Sequence, residues 1–358
     1  MAATIKDIAE RAQCGVATVS SYLNGGNVRP ENREKIESAI RELHYTVNET
    51  ARQLKTNRTR LVGAVIPEFD SNFSARILSV ISDELRKEGY ALLASDCRSD
   101  AGREKEAVDF LIRRRVDGLF MIPVDLTGKT AGRFARTGKP LVLIDRQIDG
   151  LSCDTVCVDN EGAICSVVND LVERGHRAIG LLTAPREIQS TRNRIIGYRR
   201  ALTARGIPVN EEYILSGPDT IDNGMRHLTQ LLTEHPEITA VIAASFQITF
   251  GAVIAVNEMG IDIPARLSLI GFDQPQFARA VHPRLTIVSQ PVEDIGRRAA
   301  HLMLQRLREQ EESREEELQI REEIWLNTQV LPGKSVRTIK DEKREDPTLQ
   351  GHAWGREE

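Results

Sequence analysis

The chain has 358 residues, of which 41% are hydrophobic and 28% charged, and its formal net charge is −4. That length exceeds one ordinary domain, so two or three folded units are expected. A weakly acidic chain has no overall charge attraction for nucleic acid, and any basic surface must be local.

The five cysteines argue against a disulfide framework and a zinc site, because none lies in a Cys-x-x-Cys pair or beside clustered histidines. Cys153 and Cys157 are better explained as part of a half-buried strand than as metal ligands. The segment MAATIKDIAE is not typical of a signal peptide, and no apolar run reaches membrane-spanning length. The sequence therefore predicts a cytoplasmic protein with reduced thiols, no metal, no cofactor and no membrane association.

Charge is unevenly distributed, since the first 60 residues carry +3 and the remainder must carry −7. Thr4, with Asp7 three residues later, is a candidate helix N-cap. Apolar residues at helical spacing predict one helix after Thr4, a second from about Val16 to Asn24 that ends at Gly25, and a third after Pro30. A basic head before an acidic body is typical of a DNA-binding protein.

From Leu61 onward, apolar strand-like runs alternate with amphipathic helices. Such runs indicate parallel strands buried on both faces, and hence a doubly wound α/β architecture. The predicted strands are 62–66, 90–95, 118–122, 140–144, 178–182, 240–244 and 267–271. The length of this part predicts two subdomains with a ligand-binding cleft between them.

We assign residues 1–47 to a DNA-binding head, 48–60 to a hinge and 61–334 to the body. The polar, charged tail at 335–358 is expected to be disordered. Within the body, the first subdomain is expected to comprise about 61–159 and 289–320, and the second about 160–288 and 321–334. Each subdomain is thus expected to contain two separate chain segments.

Two short helices with a break after Ala12 fit a helix-turn-helix, although this spacing also fits two ordinary core helices. The residues themselves are more specific, since an ordered series of blocks resembles the lac-repressor (LacI/GalR) family to about residue 330. These blocks are TIKDIAERA, VATVSSYLN, REKIESAIRELHY, ETARQLK, RRRVDGLF, LVLIDR, VCVDNEGA, LVERGHRAIGLL, RIIGY, LSLIGFD and LTIVSQP. The resemblance implies a helix-turn-helix head on a periplasmic-binding-protein-like body. It also implies a homodimer that binds pseudo-palindromic operator DNA and represses transcription under control of a small-molecule effector.

The resemblance implies that the second helix enters the major groove, with Val16, Ala17 and Ser21 facing the bases. The implied contacts in the head are Thr4, Val16, Ala17, Thr18, Ser20, Ser21, Tyr22 and Asn24. Among them, Thr18 and Ser20 would bind phosphates, and Tyr22 would pack or contact the DNA backbone. Three departures matter: Gly15 replaces the usual Ser at the helix N-cap, Ser21 replaces the Arg of many members, which reads guanine, and Cys14 stands where Val is common.

Residues 46–60 contain four arginines and lysines and one acid, which alone is typical of a solvated linker. Their match to the family pattern Asn-x-x-Ala-Arg-x-Leu implies instead a short helix that folds on operator DNA and inserts a Leu into the minor groove. The implied contacts are Asn48, Ala51, Arg52, Leu54 and Lys55, with Leu54 as the wedge. A helix of about seven residues is not stable alone in water, so its folding would couple DNA binding to the body.

Polar residues follow several predicted strands of the body, and strand carboxyl ends are where α/β sheets bind ligands. The family blocks imply effector contacts at Phe73, Asp145, Arg146, Arg194, Ser245, Phe246 and Asp273. A carboxylate and an arginine can hold sugar hydroxyls, and a Phe ring can stack on a ligand. Phe246 stands where the family often has a polar residue. Sugars, sugar phosphates, nucleosides and purines all stay open as the effector.

Three other functions stay open on the sequence alone. A solute-binding transport protein shares the body fold, but the head and the lack of a signal peptide argue against it. An enzyme would also place acids and arginines in a cleft, but the sequence has no nucleophile elbow, Walker loop, HExxH motif or strand-linked GxGxxG. The Ser245-Phe246 pair keeps a repressor without effector control open. The tail lacks the apolar heptads of a tetramerisation helix, which favours a dimer.

Overall fold

The computed structural model describes residues 3–23, 26–45, 58–311 and 321–339. The chain divides into two units, the head (Met1–Thr59) and the body (Arg60–Glu358). The predicted fold class is confirmed, because the head is helical and the body contains two α/β subdomains, each with its own largely parallel sheet.

The described part of the head contains three helices around one small apolar core. They are α1 (Ile5–Arg11), α2 (Val16–Leu23) and α3 (Pro30–Glu42). Helix α1 begins at a capping box: the Asp7 N–H donates to the Thr4 hydroxyl, and the Thr4 N–H donates to the Asp7 carboxylate. Gln13, with φ of +52°, turns the chain between α1 and α2. The buried core residues are Ile8, Ala9, Ala12, Val19, Ile36 and Ala39.

The first subdomain is built on a six-stranded sheet with the order β11-β5-β4-β3-β1-β2. Its strands are β1 (Leu61–Ile66), β2 (Ala91–Asp96), β3 (Gly118–Met121), β4 (Leu141–Ile144), β5 (Asp154–Val158) and β11 (Glu323–Leu326). Its helices are α4 (Asn72–Lys87), α5 (Ala101–Arg113), α6 (Lys129–Ala135) and α12 (Val292–Glu311). Val62 and Ala64 pack beneath α4 and α12, whereas Val65 packs beneath α5 and α6. Burial on both faces explains the continuous apolar run of β1.

The second subdomain has a sheet with the order β12-β10-β9-β8-β6-β7. Its strands are β6 (Ile179–Thr183), β7 (Ile214–Ser216), β8 (Ala240–Ala243), β9 (Ser268–Phe272), β10 (Thr286–Ser289) and β12 (Gln329–Leu331). Its helices are α7 (Asn160–Glu173), α8 (Gln189–Ala204), α9 (Ile221–Glu234), α10 (Phe246–Glu258) and α11 (Pro275–Ala280). Strand β12 is antiparallel to β10, and the other pairs are parallel.

The expected boundary between the subdomains is wrong at one strand. Residues 321–334 were expected in the second subdomain, but β11 pairs in parallel with β5 of the first sheet, with Trp325 beside Cys157. The following strand, β12, joins the second sheet beside β10. The chain therefore crosses between the subdomains after β5, between β10 and α12, and between β11 and β12.

The expectation of disorder from residue 335 onward is wrong for residues 335–339. Ser335 is fully buried, and its hydroxyl donates to the Leu269 carbonyl at 2.6 Å and accepts from the Thr286 N–H at 2.8 Å. The Ile339 N–H donates to the Arg174 carbonyl at 2.7 Å. These hydrogen bonds fix the segment on the second subdomain, and 340–358 lie outside the described residues.

A buried ion pair connects α12 to β5. Both oxygens of Asp154, which is fully buried, accept hydrogen bonds from Arg306 Nε and Nη2 at 2.8 Å each. The Glu322 N–H, just before β11, donates to the same carboxylate at 2.9 Å. A bidentate pair of this kind compensates two charges that would be costly to bury separately.

Arg306→Ala should leave the buried Asp154 carboxylate without its main partner, so we expect the body to lose about 3–5 kcal/mol in free energy of unfolding. Arg308→Ala on the same helix is the matched control, since Arg308 binds Glu88 at 2.9 Å but its side chain is 60% exposed. That variant should lose less than about 1 kcal/mol. Urea denaturation of both variants measures the difference, and equal losses would contradict the role given to Asp154.

Candidate DNA-binding face and effector cleft

The first turn of α2 presents apolar side chains that do not pack in the head. Val16 is 44% exposed and Ala17 is also exposed, whereas Val19, one turn later, is fully buried. The Thr18 and Val19 N–H groups both donate to the Gly15 carbonyl, so Gly15 occupies the predicted N-cap position. Exposed Val is costly in water. The exposed start of α2 is therefore available for contact with a partner.

Other predicted DNA contacts in the head have partners within it. The Tyr22 hydroxyl donates to Glu37 at 2.8 Å, and this bond raises the pKa of Tyr22, so the ring packs on α3. The Thr4 hydroxyl belongs to the capping box of α1. Thr18, Ser20 and Ser21 are half-buried on α2. Six further predicted contacts lie outside the described residues: Asn24, Asn48, Ala51, Arg52, Leu54 and Lys55.

The body contains a cleft of about 860 Å³ at the carboxyl ends of strands from both sheets. All seven predicted effector contacts line it: Phe73, Asp145, Arg146, Arg194, Ser245, Phe246 and Asp273. The structure thus brings together residues that lie up to 200 positions apart in the sequence. Parallel strands explain this grouping, because their carboxyl ends share one edge of a sheet.

Two carboxylates occupy corresponding places in the two subdomains. Asp145 follows β4 and Asp273 follows β9, and both have left-handed backbone conformations, with φ of +67° and +62°. Few side chains adopt this conformation without strain, and Asp and Asn are among those that do. Strained backbone of this type collects at functional sites, where it fixes the direction of a side chain.

The Arg194 guanidinium lies near Asp273, but the side-chain hydrogen bonds of Asp273 come from a neutral group. The Gln290 side-chain amide donates to its two oxygens at 3.2 and 3.0 Å. Burial raises the pKa of Asp273 to about 6, and the nearby Arg194 guanidinium and Gln290 oppose this shift only in part. The carboxylate is therefore held in the cleft at a cost in solvation.

Arg194 is buried on α8 and is oriented by three contacts. Its Nε donates to Asn160 Oδ1 at 2.8 Å, its Nη1 donates to the Ala244 carbonyl, and its guanidinium carbon lies 4.1 Å from the centre of the Phe272 ring. Burial lowers the pKa of Arg194, while Asp273, Asp145 and Asp219 raise it. The guanidinium is thus fixed within the field of three carboxylates.

Arg146 belongs to the first subdomain, whereas Arg194 belongs to the second. A buried acid, Glu104, fixes the position of Arg146 indirectly, and the sequence did not indicate that Glu104 is part of the site. The Arg146 Nη1 donates to the Pro123 carbonyl at 2.8 Å, and its Nε lies 3.5 Å from Asp145. The loop after Pro123 is held by Glu104, whose carboxylate accepts hydrogen bonds from the Val124 and Asp125 N–H groups. Glu104 is fully buried, and burial raises its pKa. It therefore positions the loop on which Arg146 rests.

The second subdomain adds an acid that the sequence analysis missed. Asp219 follows β7 and accepts a hydrogen bond from the Ser245 hydroxyl at 2.5 Å, while Ser245 also caps α10. Burial raises the pKa of Asp219. Nearby, Phe246 lines the cleft and packs against Phe250 and Phe277, with ring centres 6.0 and 5.5 Å away. Strand β7 has three residues and was not predicted, so its end gave no signal.

Within the residues that the structure describes, no group of three or more His, Cys, Asp or Glu side chains is arranged to hold a metal ion. In the same residues, no helix combines the length and apolarity needed to cross a membrane.

A helix-turn-helix head with an exposed reading turn, in one chain with a two-subdomain ligand cleft, defines a ligand-controlled DNA-binding regulator. Residues 4–48 match the family described as bacterial regulatory proteins, lacI family, and residues 168–336 match a periplasmic binding protein-like domain. The chain is 37% identical to the probable HTH-type transcriptional regulator EndR of Paenibacillus polymyxa over 88% of this chain and 94% of the relative. The chain therefore belongs to the lacI family, and it is a DNA-binding transcription regulator.

Solved structures agree with this assignment. The lac repressor dimer bound to operator and the anti-inducer ONPF is 26% identical to this chain, with a TM-score of 0.83, and the match covers 94% of this chain and 100% of that one. A complex of the transcriptional regulator CelR with cellobiose is 27% identical, with a TM-score of 0.71, over 93% and 99% of the two chains. The resemblance stated from the sequence is confirmed.

The raised pKa of Asp273 has a consequence for stability. Because its pKa is about 6 in the folded protein and 3.8 ordinarily, this group's stabilising contribution is full below pH 3.8 and is lost as the pH rises through 6. The free energy of unfolding of the wild type, relative to Asp273→Asn, should therefore fall by on the order of 1–2 kcal/mol between about pH 4.5 and about pH 7.5. Urea titrations at both pH values measure this difference. Asp262→Asn, at an exposed site, is the control, and a pH-independent difference for Asp273→Asn would refute the assignment.

Proposed function

We propose that this protein is a homodimeric repressor that binds a pseudo-palindromic operator in the cytoplasm and responds to a small effector bound in the cleft. One observation carries this proposal: charged groups from both subdomains converge in one cleft of a chain that also has a helix-turn-helix. Family membership supports a role in regulation by binding, without catalysis.

In the head, we propose that Val16, Ala17 and Ser21 face the bases and that Thr18 and Ser20 bind phosphates. The exposure of Val16 and Ala17 supports this proposal, since both side chains are available to a partner. Apolar side chains at this position suit contact with thymine methyl groups. The hinge residues keep the roles implied by the family pattern, with Leu54 entering the minor groove.

The polar groups of the cleft and the ligands of similar proteins support a hydroxyl-rich effector. Asp145 and Asp273 accept hydrogen bonds, and Arg194 donates them, so hydroxyl groups match both kinds of partner. Phe73 and Phe246 offer apolar faces to a ring. The CelR complex contains cellobiose, and the cleft has room for a disaccharide.

Control of DNA binding is proposed to follow from the three chain crossings between the subdomains. An effector that contacts Asp145 in the first subdomain and Asp273 in the second stabilises one relative orientation of the two. In a dimer, such a change alters the separation of the two segments that begin at Leu61. Hinge helices that fold only as a pair on DNA would respond to that separation.

The DNA-binding proposal predicts different effects for two valines of α2. Val16→Ala should weaken specific operator binding by about 1 kcal/mol, because it removes a base contact, and should change the stability of the head by less than about 0.5 kcal/mol. Val19→Ala removes a fully buried side chain and should destabilise the head by about 2 kcal/mol. Fluorescence anisotropy with an operator selected from random duplexes, together with thermal unfolding, separates the effects. Unchanged operator affinity in Val16→Ala would rule out its reading role.

The effector proposal predicts that Arg194→Lys weakens ligand binding at least about tenfold, because Lys keeps the charge but loses the planar fork. Arg192→Lys is the matched control, since Arg192 is exposed on the same helix and donates to the Glu187 carbonyl. Calorimetry with cellobiose as the first probe, and then with ligands from a thermal-shift screen of sugars, sugar phosphates and nucleosides, gives the affinities. Full affinity in Arg194→Lys would remove Arg194 from the site.

A further inference from the structure

We propose that Asp219 is a specificity-determining residue of the cleft, and that it selects uncharged, hydroxyl-rich ligands over their phosphorylated forms. This inference rests on the proposed effector role of the cleft and narrows the class of ligand. The first observation is the charge of the residues that line the cleft. Six carboxylates and four arginines line the cleft, which gives it a formal charge of −2.

The arginines at the mouth of the cleft are already paired with acids of the lining. Arg76 binds Glu293 at 2.7 Å, and Arg297 lies 3.4 Å from both Glu293 and Asp294. A phosphate monoester carries nearly two negative charges and needs cations that are not already neutralised. Binding a phosphate here would require these ion pairs to open.

The inner arginines are no better placed for a phosphate. Arg146 lies beside Asp145, and Arg194 is held by Asn160 and the Ala244 carbonyl within the field of Asp145, Asp219 and Asp273. Their positive charge is therefore balanced within the cleft itself. Both guanidiniums can still donate a hydrogen bond to a neutral oxygen, which does not require a net positive site.

Three of the six carboxylates, by contrast, accept their hydrogen bonds from neutral partners. Asp219 accepts from the Ser245 hydroxyl at 2.5 Å, Asp273 accepts from the Gln290 amide, and Glu68 accepts from the Ser99 hydroxyl at 3.3 Å. A carboxylate has about four acceptor positions, so each can accept further hydrogen bonds from ligand hydroxyls. The charges of Asp219 and Glu68 also interact across the cleft, and burial raises the pKa of both. A further negative charge between them is strongly disfavoured.

Arginine donors and carboxylate acceptors in one cleft require a ligand that both accepts and donates hydrogen bonds. Hydroxyl groups do both, whereas an amine only donates when protonated and a phosphate mainly accepts. Asp219 is the residue that decides between neutral and anionic ligands, because it lines the cleft from the second subdomain and, among the described residues, no cation lies within ion-pair distance of it. A neutral saccharide meets all of these conditions.

The test compares neutral ligands with their phosphates on the full-length protein. The pairs are glucose and glucose 6-phosphate, ribose and ribose 5-phosphate, cellobiose and cellobiose 6-phosphate, and uridine and uridine 5′-monophosphate, with glucosamine as a cationic probe. Thermal shift ranks them, and calorimetry at neutral pH gives Kd. We expect at least one neutral saccharide to bind, and its phosphate to bind at least about tenfold more weakly.

Asp219→Asn should weaken binding of the neutral ligand. It should also reduce the preference for the neutral ligand over its phosphate, measured as the ratio of their Kd values, to about threefold or less. Asp222→Asn, at an exposed site in the first turn of α9, should leave both affinities unchanged. If Asp219→Asn unfolds, Asp219→Ser replaces it. The proposal is overturned if no neutral saccharide binds, if the phosphate or glucosamine binds better than the neutral sugar, or if the variant keeps full discrimination. Operator affinity without ligand tests the proposed repressor separately, so the two can fail independently.

Discussion

The carboxylate of Asp154 holds together three segments of chain that run between the subdomains. Asp154 is the first residue of β5, the strand that precedes the first crossing. Its carboxylate accepts hydrogen bonds from Arg306 on α12, the helix that follows the second crossing. It also accepts a hydrogen bond from the Glu322 N–H just before β11, the strand that precedes the third crossing. The Asp154–Arg306 ion pair is buried. A shift of one of these segments alone would therefore expose a charge to water or leave it buried without its partner. These contacts tie β5, α12 and the start of β11 together within the first subdomain.

At the cleft, by contrast, the carboxyl ends of the strands carry strained backbone and poorly solvated charges. There, Asp145 and Asp273 adopt left-handed backbone, Asp219 and Asp273 have raised pKa values, and the buried Arg194 lies against Phe272. The left-handed backbone and the poorly solvated charges cost stability, and the contact of Arg194 with Phe272 offsets part of that cost. We propose that a ligand that contacts both walls offsets part of this cost and so favours one arrangement of the two subdomains. A ligand-driven switch needs both features: a firmly connected subdomain and charged groups in the cleft that interact with the ligand.

The sequence predicted those parts of the body whose local pattern reflects their burial. Strands such as β1 and β9 are continuous apolar runs because helices cover both faces of the sheet. Strands β7, β11 and β12 lie at sheet edges and are only partly buried, so they have no continuous apolar run that would identify them. The placement of β11 also depends on a pairing with β5, about 170 residues earlier in the chain, and no local pattern encodes it.

The same limits apply to the site. Asp145 and Asp273 could be predicted because they end predicted strands and match family blocks, whereas Asp219 follows β7, which was not predicted, and was missed. Gln290 and Glu104 act through contacts with Asp273 and with the loop at Val124, which only the folded chain brings together. Family blocks identified Arg194, but its orientation by Asn160 is a tertiary property. Residues that touch a ligand are easier to infer from sequence than those that position them.

The head places a different constraint on function. Its exposed reading turn offers Val16 and Ala17, which have no hydrogen-bonding groups in their side chains, and Ser21 stands close to Gly26, which limits its freedom. Apolar contacts recognise thymine methyls but cannot read guanine, so direct readout by α2 is narrow. With the contacts proposed for α2, we infer that operator recognition relies more on phosphate contacts, on the deformability of the DNA and on the hinge. A repressor that works in this proposed way gains specificity mainly when both hinges are paired, so its affinity for DNA is more sensitive to the state of the cleft.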